Sequence, residues 1–205
     1  MTMSPPRRFL ALGDSYTIGE LVPPQDRWPV QLTTLARTQG IEIGNPEIIA
    51  KTGWTTDELI AGIRLEPPHG VFDLVSLLIG VNNLYRGRPA DEFRSEFRIL
   101  LHDALRFANA KHDRVVVLSI PDWGATPFAE GRDRAAISAL TDEFNGICQD
   151  EARVCAVHYV DVTEISRAGL TDRSLLTTDN LHPSERMYQL WAGKVFDKIA
   201  IALHG

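Results

Sequence analysis

The sequence has few of the features that mark disulfide-rich, membrane or nucleic-acid-binding proteins. Its two cysteines, Cys148 and Cys155, are too few for a disulfide framework or a cysteine zinc site, and we expect two free thiols. No apolar run approaches the roughly 20 residues that cross a bilayer, and the apolar run after residue 8 is too short for a signal peptide. A net charge of −6 with no basic face argues against nucleic acid as a partner. These absences predict a cytoplasmic protein without an integral membrane segment.

The chain does contain enough apolar material for one sizeable core. Hydrophobic residues make up 44% of its 205 residues, which is too many for a disordered chain. No linker, internal repeat or low-complexity segment divides residues 9–205. The first eight residues include two prolines and two arginines. We therefore expect a flexible tail over residues 1–8 and a single domain over residues 9–205.

Apolar runs of strand length alternate with segments of helical periodicity. The predicted strands cover residues 9–12, 41–50, 71–79, 115–120 and 154–160. The predicted helices cover residues 28–40, 55–66, 90–110 and 132–151, and a last helix starts at residue 183. Thr55 and Glu58 have the spacing of a capping box, and Pro183 suits a first helical position. The alternation is typical of a parallel sheet with helices on both faces, and so predicts an α/β fold.

Polar residues follow three of the predicted strands directly. The first strand runs into Gly13-Asp14-Ser15, where we expect Gly13 to adopt a backbone conformation closed to other residues and so to allow a sharp turn. Such a turn would hold the Ser15 hydroxyl at the carboxyl edge of the sheet, where α/β proteins bind ligands. Gly53 follows the second strand and Asn82 the third, so both would lie at the same edge.

The loop before the last predicted helix supplies a carboxylate and a histidine. Asp179 precedes His182 by three residues in a tight turn. An imidazole exchanges protons near neutral pH, so His182 could accept the Ser15 proton and later return it to a leaving alcohol. The Asp179 carboxylate would hold the imidazole in the required tautomer. These residue types indicate a nucleophilic serine with its base and orienting group, a chemistry for which we expect no cofactor and no metal.

Four short blocks, in order along almost the whole chain, resemble those of the SGNH hydrolases, also called GDSL lipases and esterases. The blocks are Gly13-Asp14-Ser15-Tyr16, Gly53, Gly80-Val81-Asn82-Asn83 and Asp179-Asn180-Leu181-His182-Pro183. The resemblance implies a flavodoxin-like three-layer sandwich whose five parallel strands have the order 2-1-3-4-5. It also implies ester hydrolysis with Ser15, Asp179 and His182 as catalytic residues. The oxyanion hole would combine the backbone N–H groups of Ser15 and Gly53 with the side-chain amide of Asn82.

Two residues of these blocks depart from the common pattern of the family. Tyr16 stands where Leu is frequent and Asn83 where Asp is frequent, and we expect both to affect substrate shape rather than the reaction. Tyr16, Trp54, Trp123 and Phe128 fall in predicted loops at the active edge. They either pack beneath those loops or form an apolar wall for an acyl or alcohol group. Together with Asn83, they are the candidate substrate-binding residues.

The predicted function is the hydrolysis of small-molecule carboxylic esters, with small or medium acyl chains, through an acyl-enzyme on Ser15. The same site would suit a thioesterase, a lysophospholipase, a sugar deacetylase or an acyltransferase. A different class, a flavodoxin-like flavin- or phosphate-binding protein, would use the turn after the first strand to hold phosphate. Asp14 would repel a phosphate there, and this alternative leaves Asp179 and His182 without a role. The sequence makes no prediction of the oligomeric state.

Two further interpretations concern carboxylates. We expect Asp14 to accept N–H bonds within its turn rather than to act in catalysis. A metal held by Asp122, Asp161 and Asp179 is the weaker interpretation of those three residues, because their spacing is not that of a ligand cluster.

Overall fold

A five-stranded parallel sheet organises the computed structural model, which describes residues 5–204. The strands are β1 Phe9–Gly13, β2 Glu47–Ala50, β3 Leu74–Leu78, β4 Val115–Leu118 and β5 His158–Val160. They lie in the order β2-β1-β3-β4-β5, and every neighbouring pair is parallel. This confirms the predicted α/β fold and its strand order.

Helices cover both faces of the sheet. They are α1 Ser15–Ile18, α2 Trp28–Thr38, α3 Thr56–Leu65, α4 Val81–Tyr85, α5 Ala90–Phe107, α6 Arg134–Val154, α7 Thr163–Arg167 and α8 Glu185–His204. α2 packs against α8 on one face, while α5 packs against α3 and α6 on the other. The five long helices are those predicted, with ends that differ by up to three residues. The pattern does not predict α1, α4 or α7, because a helix of one turn carries no periodicity.

The core lies on both faces of the three central strands. β1, β3 and β4 are buried along their whole length, as their continuous apolar sequences require. On one face Trp28 of α2 and Trp191 of α8 are completely buried, and on the other Phe93 stacks against Phe144 with ring centroids 4.6 Å apart. Burying a side chain of this size stabilises the fold by roughly 1.5–3 kcal/mol.

Four of the five strands are shorter than predicted, and the causes are clearest at β2 and β5. In the predicted strand over residues 41–50, Ile43 makes only an isolated bridge to Arg7, and Pro46, which has no N–H to donate, precedes the start of β2. In the predicted strand over residues 154–160, Val154 still belongs to α6, and the turn that follows places Ala156 at φ +53°. The apolar runs are therefore longer than the hydrogen-bonded ladders.

The ends of the chain are only partly described. Residues 1–4 of the predicted tail, like residue 205, lie outside the described residues. Arg7 already donates to the Glu42 carbonyl at 2.8 Å, and the N–H of Arg8 donates to Asp73 at 3.0 Å. Within residues 5–204, no helix has both the length and the apolar character needed to cross a membrane.

The strand register brings three loops to one place. Gly13, the last residue of β1, pairs with Ala50 at the end of β2 and with Leu78 at the end of β3. The chain leaves β1 toward β2 on one side and later returns to β3 on the other, which makes β1 the point where the strand order reverses. Crevices of α/β sheets form at such points, outside the carboxyl ends of the strands.

Candidate active site

A cavity of about 230 Å³ opens at this crevice. The loops after β1, β2 and β3 contribute to its lining, as do the aromatic loop after β4 and the loop before α8. The lining residues are Ser15, Tyr16, Thr52, Gly53, Val81, Asn82, Tyr85, Trp123, Phe128, Leu181 and His182. The structure thus brings Ser15, Gly53, Asn82 and His182 to one cavity, although they are up to 167 positions apart in the sequence.

The turn after β1 is closely packed. Ser15 begins α1 and is 4% exposed, so little more than its hydroxyl reaches the cavity. A Cβ at Gly13 would collide with the Thr17 hydroxyl and with the Leu78 carbonyl. The sequence-based expectation of an unusual backbone conformation at Gly13 is wrong, because its φ is not positive. The glycine is needed for space beneath α1, and the left-handed conformation occurs at Gly19, where α1 ends.

Asp14 is the N-cap residue of α1. Its Oδ1 accepts a hydrogen bond from the N–H of Tyr16 at 3.0 Å, which confirms the predicted structural bond within the turn. The residue is completely buried, and Oδ2 has no hydrogen-bond partner among the described residues. Burial raises the pKa of Asp14 to about 7, although the N–H groups of Tyr16 and Gly80 favour the charged form.

Backbone hydrogen bonds stabilise the loop that carries His182. Leu176 and Pro183 form an isolated antiparallel bridge, and the Thr177 N–H donates to the His182 carbonyl at 2.8 Å. Between them, Asn180 adopts a left-handed conformation with φ +61°, which asparagine tolerates better than most residues. The Asn180 carbonyl accepts the Phe128 N–H at 3.2 Å, so this loop and the aromatic loop after β4 are joined.

Asp179 orients the imidazole within this loop. Its Oδ2 lies 2.6 Å from His182 Nδ1. Its Oδ1 accepts hydrogen bonds from the Thr177 hydroxyl at 2.7 Å and from the N–H groups of Leu181 and His182 at 3.0 Å each. Partial burial opposes the charged form, but these bonds outweigh it and lower the pKa of Asp179 to about 2. The carboxylate is therefore ionised at neutral pH and can only accept, so Nδ1 of His182 carries a proton.

The helix α4 fixes the turn after β2. The Asn82 Nδ2 donates to the Trp54 carbonyl at 2.9 Å, and the Arg86 guanidinium donates to the Gly53 carbonyl at 2.7 Å. Gly53 has φ +86°, a conformation that favours glycine. One amide hydrogen of Asn82 is used in this contact, and the other is free to serve the cavity. The sequence predicts no role for Arg86, because its partner is a backbone carbonyl that no side-chain pattern shows.

Two of the predicted substrate-binding residues do not line the cavity. Asn83 is completely buried, where its Oδ1 accepts the Thr56 N–H at 3.1 Å and its Nδ2 donates to the Thr56 hydroxyl at 2.7 Å. It joins α4 to the first turn of α3. The Trp54 ring lies against Gly62 of α3, where no larger residue would fit. Both residues face α3. Adjacent residues of a helix point about 100° apart, so Asn82 and Asn83 face different sides of α4.

The other three predicted aromatic residues do line the cavity. Tyr16 is 2% exposed and lies between His182 and Trp191, with ring centroids at 5.6 and 6.2 Å. Trp123 and Phe128 contact each other at 6.2 Å. Tyr16 therefore supports the imidazole, while Trp123 and Phe128 form an apolar wall.

Sequence reasoning missed four further lining residues, namely Thr52, Val81, Tyr85 and Leu181. Tyr85 completes the wall, with its ring 5.4 Å from Trp123. A signal was available for Tyr85, because it follows Asn82 by three positions and residues at that spacing share one helix face. The sequence does not predict this helix, because α4 has only five residues and carries no helical periodicity.

The three carboxylates considered as metal ligands have separate partners. Asp122 is buried against Arg167, with 2.9 Å between Oδ2 and Nε. Asp161 accepts the Thr163 N–H at 2.8 Å, and Asp179 binds His182. Residues 5–204 contain no cluster of three or more potential ligand side chains.

Comparison with known proteins gives a family and several similar folds. The GDSL-like Lipase/Acylhydrolase family matches residues 11–190. No protein of curated function matches the sequence. A variant of the acetyl xylan esterase Axe2 from Geobacillus stearothermophilus is similar in structure, with a TM-score of 0.73, 18% identity and 97% of each chain covered. A lipase/acylhydrolase from Enterococcus faecalis has a TM-score of 0.70 and 20% identity, covering 94% of this chain and 95% of that one.

A member of the lipolytic G-D-S-L family from Veillonella parvula is also similar, with a TM-score of 0.68, 18% identity and coverage of 93% of this chain and 96% of that one. At such identities the structures show a shared fold, whereas the family match spans the serine turn after β1 and the loop before α8. On that match, this chain belongs to the GDSL-like Lipase/Acylhydrolase family and is a carboxylic ester hydrolase.

Proposed function

We propose that the protein hydrolyses small carboxylic esters through an acyl-enzyme, with Ser15 as nucleophile, His182 as general base and Asp179 as the group that orients the base. The observation that carries this proposal is a single arrangement: the Asp179–His182 pair, joined at 2.6 Å through Nδ1, opens onto the same cavity as the Ser15 hydroxyl. Neither half of this arrangement would be informative alone.

The protonation state of the pair supports the order of steps. Because Asp179 is ionised and accepts from Nδ1, the neutral imidazole presents its lone pair at Nε2. Nε2 removes the Ser15 proton as the hydroxyl oxygen attacks the ester carbonyl. The imidazolium then gives that proton to the leaving alcohol, while Asp179 stabilises the positive charge. A water molecule, activated by the same imidazole, releases the acid and regenerates Ser15.

The charge that develops on the carbonyl oxygen needs donors that are already in place. We assign this role to the N–H groups of Ser15 and Gly53 and to the second amide hydrogen of Asn82. The bonds from Asn82 and Arg86 to the turn after β2 hold these donors before substrate arrives. Donors fixed in advance stabilise a transition state more than donors that must reorganise.

The cavity suits a short acyl group. Its volume of about 230 Å³ and its wall of Tyr85, Trp123 and Phe128 favour a small or medium apolar chain. A second candidate, the removal of acetyl groups from a sugar, is favoured by a polar groove that meets the cavity at Thr52. Glu20, Arg27 and Lys51 line this groove, and they offer hydrogen bonds to a hydroxylated alcohol.

Replacement of the nucleophile tests the proposal. We expect Ser15→Ala to lower kcat/KM for 4-nitrophenyl acetate by at least about 10⁴-fold, with an unchanged thermal midpoint, because the removed hydroxyl makes no bond that holds the fold. A fluorophosphonate should label the wild-type protein once, and the label should map to Ser15.

Ser95→Ala is the matched control, since Ser95 is an exposed serine on α5 and should leave turnover and labelling unchanged. Retained turnover in Ser15→Ala, or a label on another residue, would remove Ser15 from the reaction. A screen of nitrophenyl esters of increasing acyl length beside acetylated sugars would separate the two substrate classes.

A further inference from the structure

The Arg132 side chain packs against the aromatic wall of the cavity, formed by Tyr85, Trp123 and Phe128. The guanidinium carbon of Arg132 lies 5.5 Å from the ring centroid of Tyr85, 5.4 Å from that of Trp123 and 5.8 Å from that of Phe128. These distances fall within the range of cation–π contacts. The three rings also contact one another, so the arginine rests on a continuous aromatic surface. All three rings line the cavity, whereas Arg132 is exposed and is not itself a lining residue, so its charge lies beside the wall in solvent.

Among the described residues, Arg132 has none of the anionic or carbonyl partners that neighbouring arginines have. Arg134, two positions later, donates to the carbonyls of Gly124 and Thr126, and Arg167 is paired with Asp122 and Asp142. Within residues 5–204, no carboxylate oxygen lies within 4.0 Å of the Arg132 side chain. Its only polar side-chain contact among these residues is with the Tyr85 hydroxyl at 3.5 Å, which is long for a hydrogen bond.

The acidic residues next to Arg132 in the sequence do not neutralise its charge. Asp133 caps α6 by accepting the Ala136 N–H at 3.0 Å, and Glu130 is exposed and makes no ion pair with it. Arg132 is one of several basic residues without an ion pair among residues 5–204, and it is the one that contacts all three rings of the aromatic wall. A guanidinium that contacts aromatic rings, with no carboxylate beside it, still has N–H groups that can bind a carboxylate through two parallel hydrogen bonds.

We propose that Arg132 is a specificity-determining residue that binds a carboxylate carried by the substrate, so that the enzyme prefers half-esters of short dicarboxylic acids over neutral esters of equal length. This rests on the proposed function, because it assumes that the acyl chain runs from Ser15 along the aromatic wall. The wall holds the methylene groups of such a chain, and the guanidinium holds its far end. The reaction at the ester is unchanged; only the binding of the acyl group differs.

The first test compares two esters that differ in charge alone. The 4-nitrophenyl monoester of glutaric acid and 4-nitrophenyl valerate have acyl chains of the same carbon number. For Arg132→Gln, we expect kcat/KM to fall about 10- to 100-fold with the glutarate ester, mainly through KM, as for the loss of a charge-assisted bond. The valerate ester should change less than about twofold, and Arg132→Lys should recover part of the glutarate activity.

Arg153→Gln is the matched control, since Arg153 is an exposed arginine on α6 whose ion pair among residues 5–204 is with Asp150. It should leave the ratio of the two esters unaltered. Equal losses on both esters in Arg132→Gln would mean that Arg132 supports the wall without recognising the charge of the substrate. Unchanged kcat/KM values for both esters would mean that it does neither. Either result overturns the inference.

A binding measurement separates this inference from the proposed catalysis. Ligand-observed NMR on Ser15→Ala, titrated with monomethyl glutarate or methyl valerate, needs no turnover. We expect tighter binding of the anionic ligand, and its loss in the double variant Ser15→Ala/Arg132→Gln. If the wild-type protein hydrolyses neither nitrophenyl ester but this preference is present, the proposed substrate class fails and the anion site stands. If both ligands bind equally, the anion site fails whatever the kinetics show.

Discussion

Two aspartates lie beside the proposed nucleophile and the proposed base, and their surroundings give them opposite properties. Asp14, in the turn after β1, is completely buried and leaves one carboxylate oxygen without a partner among the described residues. Asp179, in the loop before α8, is partly exposed and accepts four hydrogen bonds. The pKa of Asp14 is raised to about 7, whereas the pKa of Asp179 is lowered to about 2. Both are next to a residue of the proposed triad, so proximity alone does not identify the carboxylate that would take part in the reaction.

The difference follows from what each carboxylate must do. A group that stabilises an imidazolium has to be ionised throughout the working pH range, and four donors keep Asp179 in that state. A group that only caps a buried helical turn can be neutral, and a neutral Asp14 avoids placing a charge in the core beneath Ser15. Pairs of carboxylates with diverging pKa values are common where one site needs two roles.

The largest effect is expected from replacing the ionised member of the pair. Asp179→Asn should lower kcat/KM for a nitrophenyl ester by about 10⁴-fold, because an amide would donate toward Nδ1 of His182 and favour the wrong tautomer. Steady-state kinetics at pH 7 measure this directly. Asp14→Asn is the internal comparison and should retain turnover within about tenfold, since its bond to the Tyr16 N–H can be kept by an amide oxygen. Comparable losses of kcat/KM in both variants would mean that the two aspartates do not differ in their importance for the reaction.

A smaller effect is expected at another pair of neighbours, Asn82 and Asn83. Asn82→Ala removes a donor from the cavity and should lower kcat by about 10²–10³-fold with little change in thermal midpoint. Asn83→Ala breaks two buried bonds to Thr56 and should cost about 1–3 kcal/mol of stability, with only a modest change in kcat. Kinetics together with urea unfolding on both variants separate the two roles. If Asn83→Ala gave the larger loss of kcat, Asn83 rather than Asn82 would be the residue that acts in catalysis.

The fold was predictable from the sequence because its signals are local. The apolar runs of β1, β3 and β4 are buried on both faces, so they stand out as continuous segments. The capping box at Thr55 and Glu58 predicts the start of α3 and is present with both of its bonds. The ends of β2 and β5 were not predictable, because pairing there is limited by Pro46 and by the length of α6 rather than by hydrophobicity.

The position of the candidate site was predictable, but its inner arrangement was not. The serine, glycine and asparagine blocks end successive strands, so topology alone brings them to one edge. The roles of Asn83 and Trp54 could not be predicted, because the sequence does not show which of the side chains near the cavity turn toward α3. The bond from Arg86 to the Gly53 carbonyl joins residues 33 positions apart, and no side-chain pattern marks a backbone carbonyl as a partner.

Asp14→Asn should change turnover least of these substitutions. Its main effect should be on how the stability of the fold depends on pH. The pKa of Asp14 rises from 3.8 to about 7 on folding, so the folded state holds a proton that the unfolded state releases between these values. Wild-type stability should therefore fall, relative to the variant, as pH rises through this window. The difference should approach about 4 kcal/mol above pH 7, because each tenfold change in an acid dissociation constant corresponds to about 1.36 kcal/mol. Urea unfolding of both proteins at pH 5, 6, 7 and 8 measures it. Parallel curves would mean that Asp14 ionises as readily in the fold as outside it, and the contrast with Asp179 would then rest on hydrogen bonding alone.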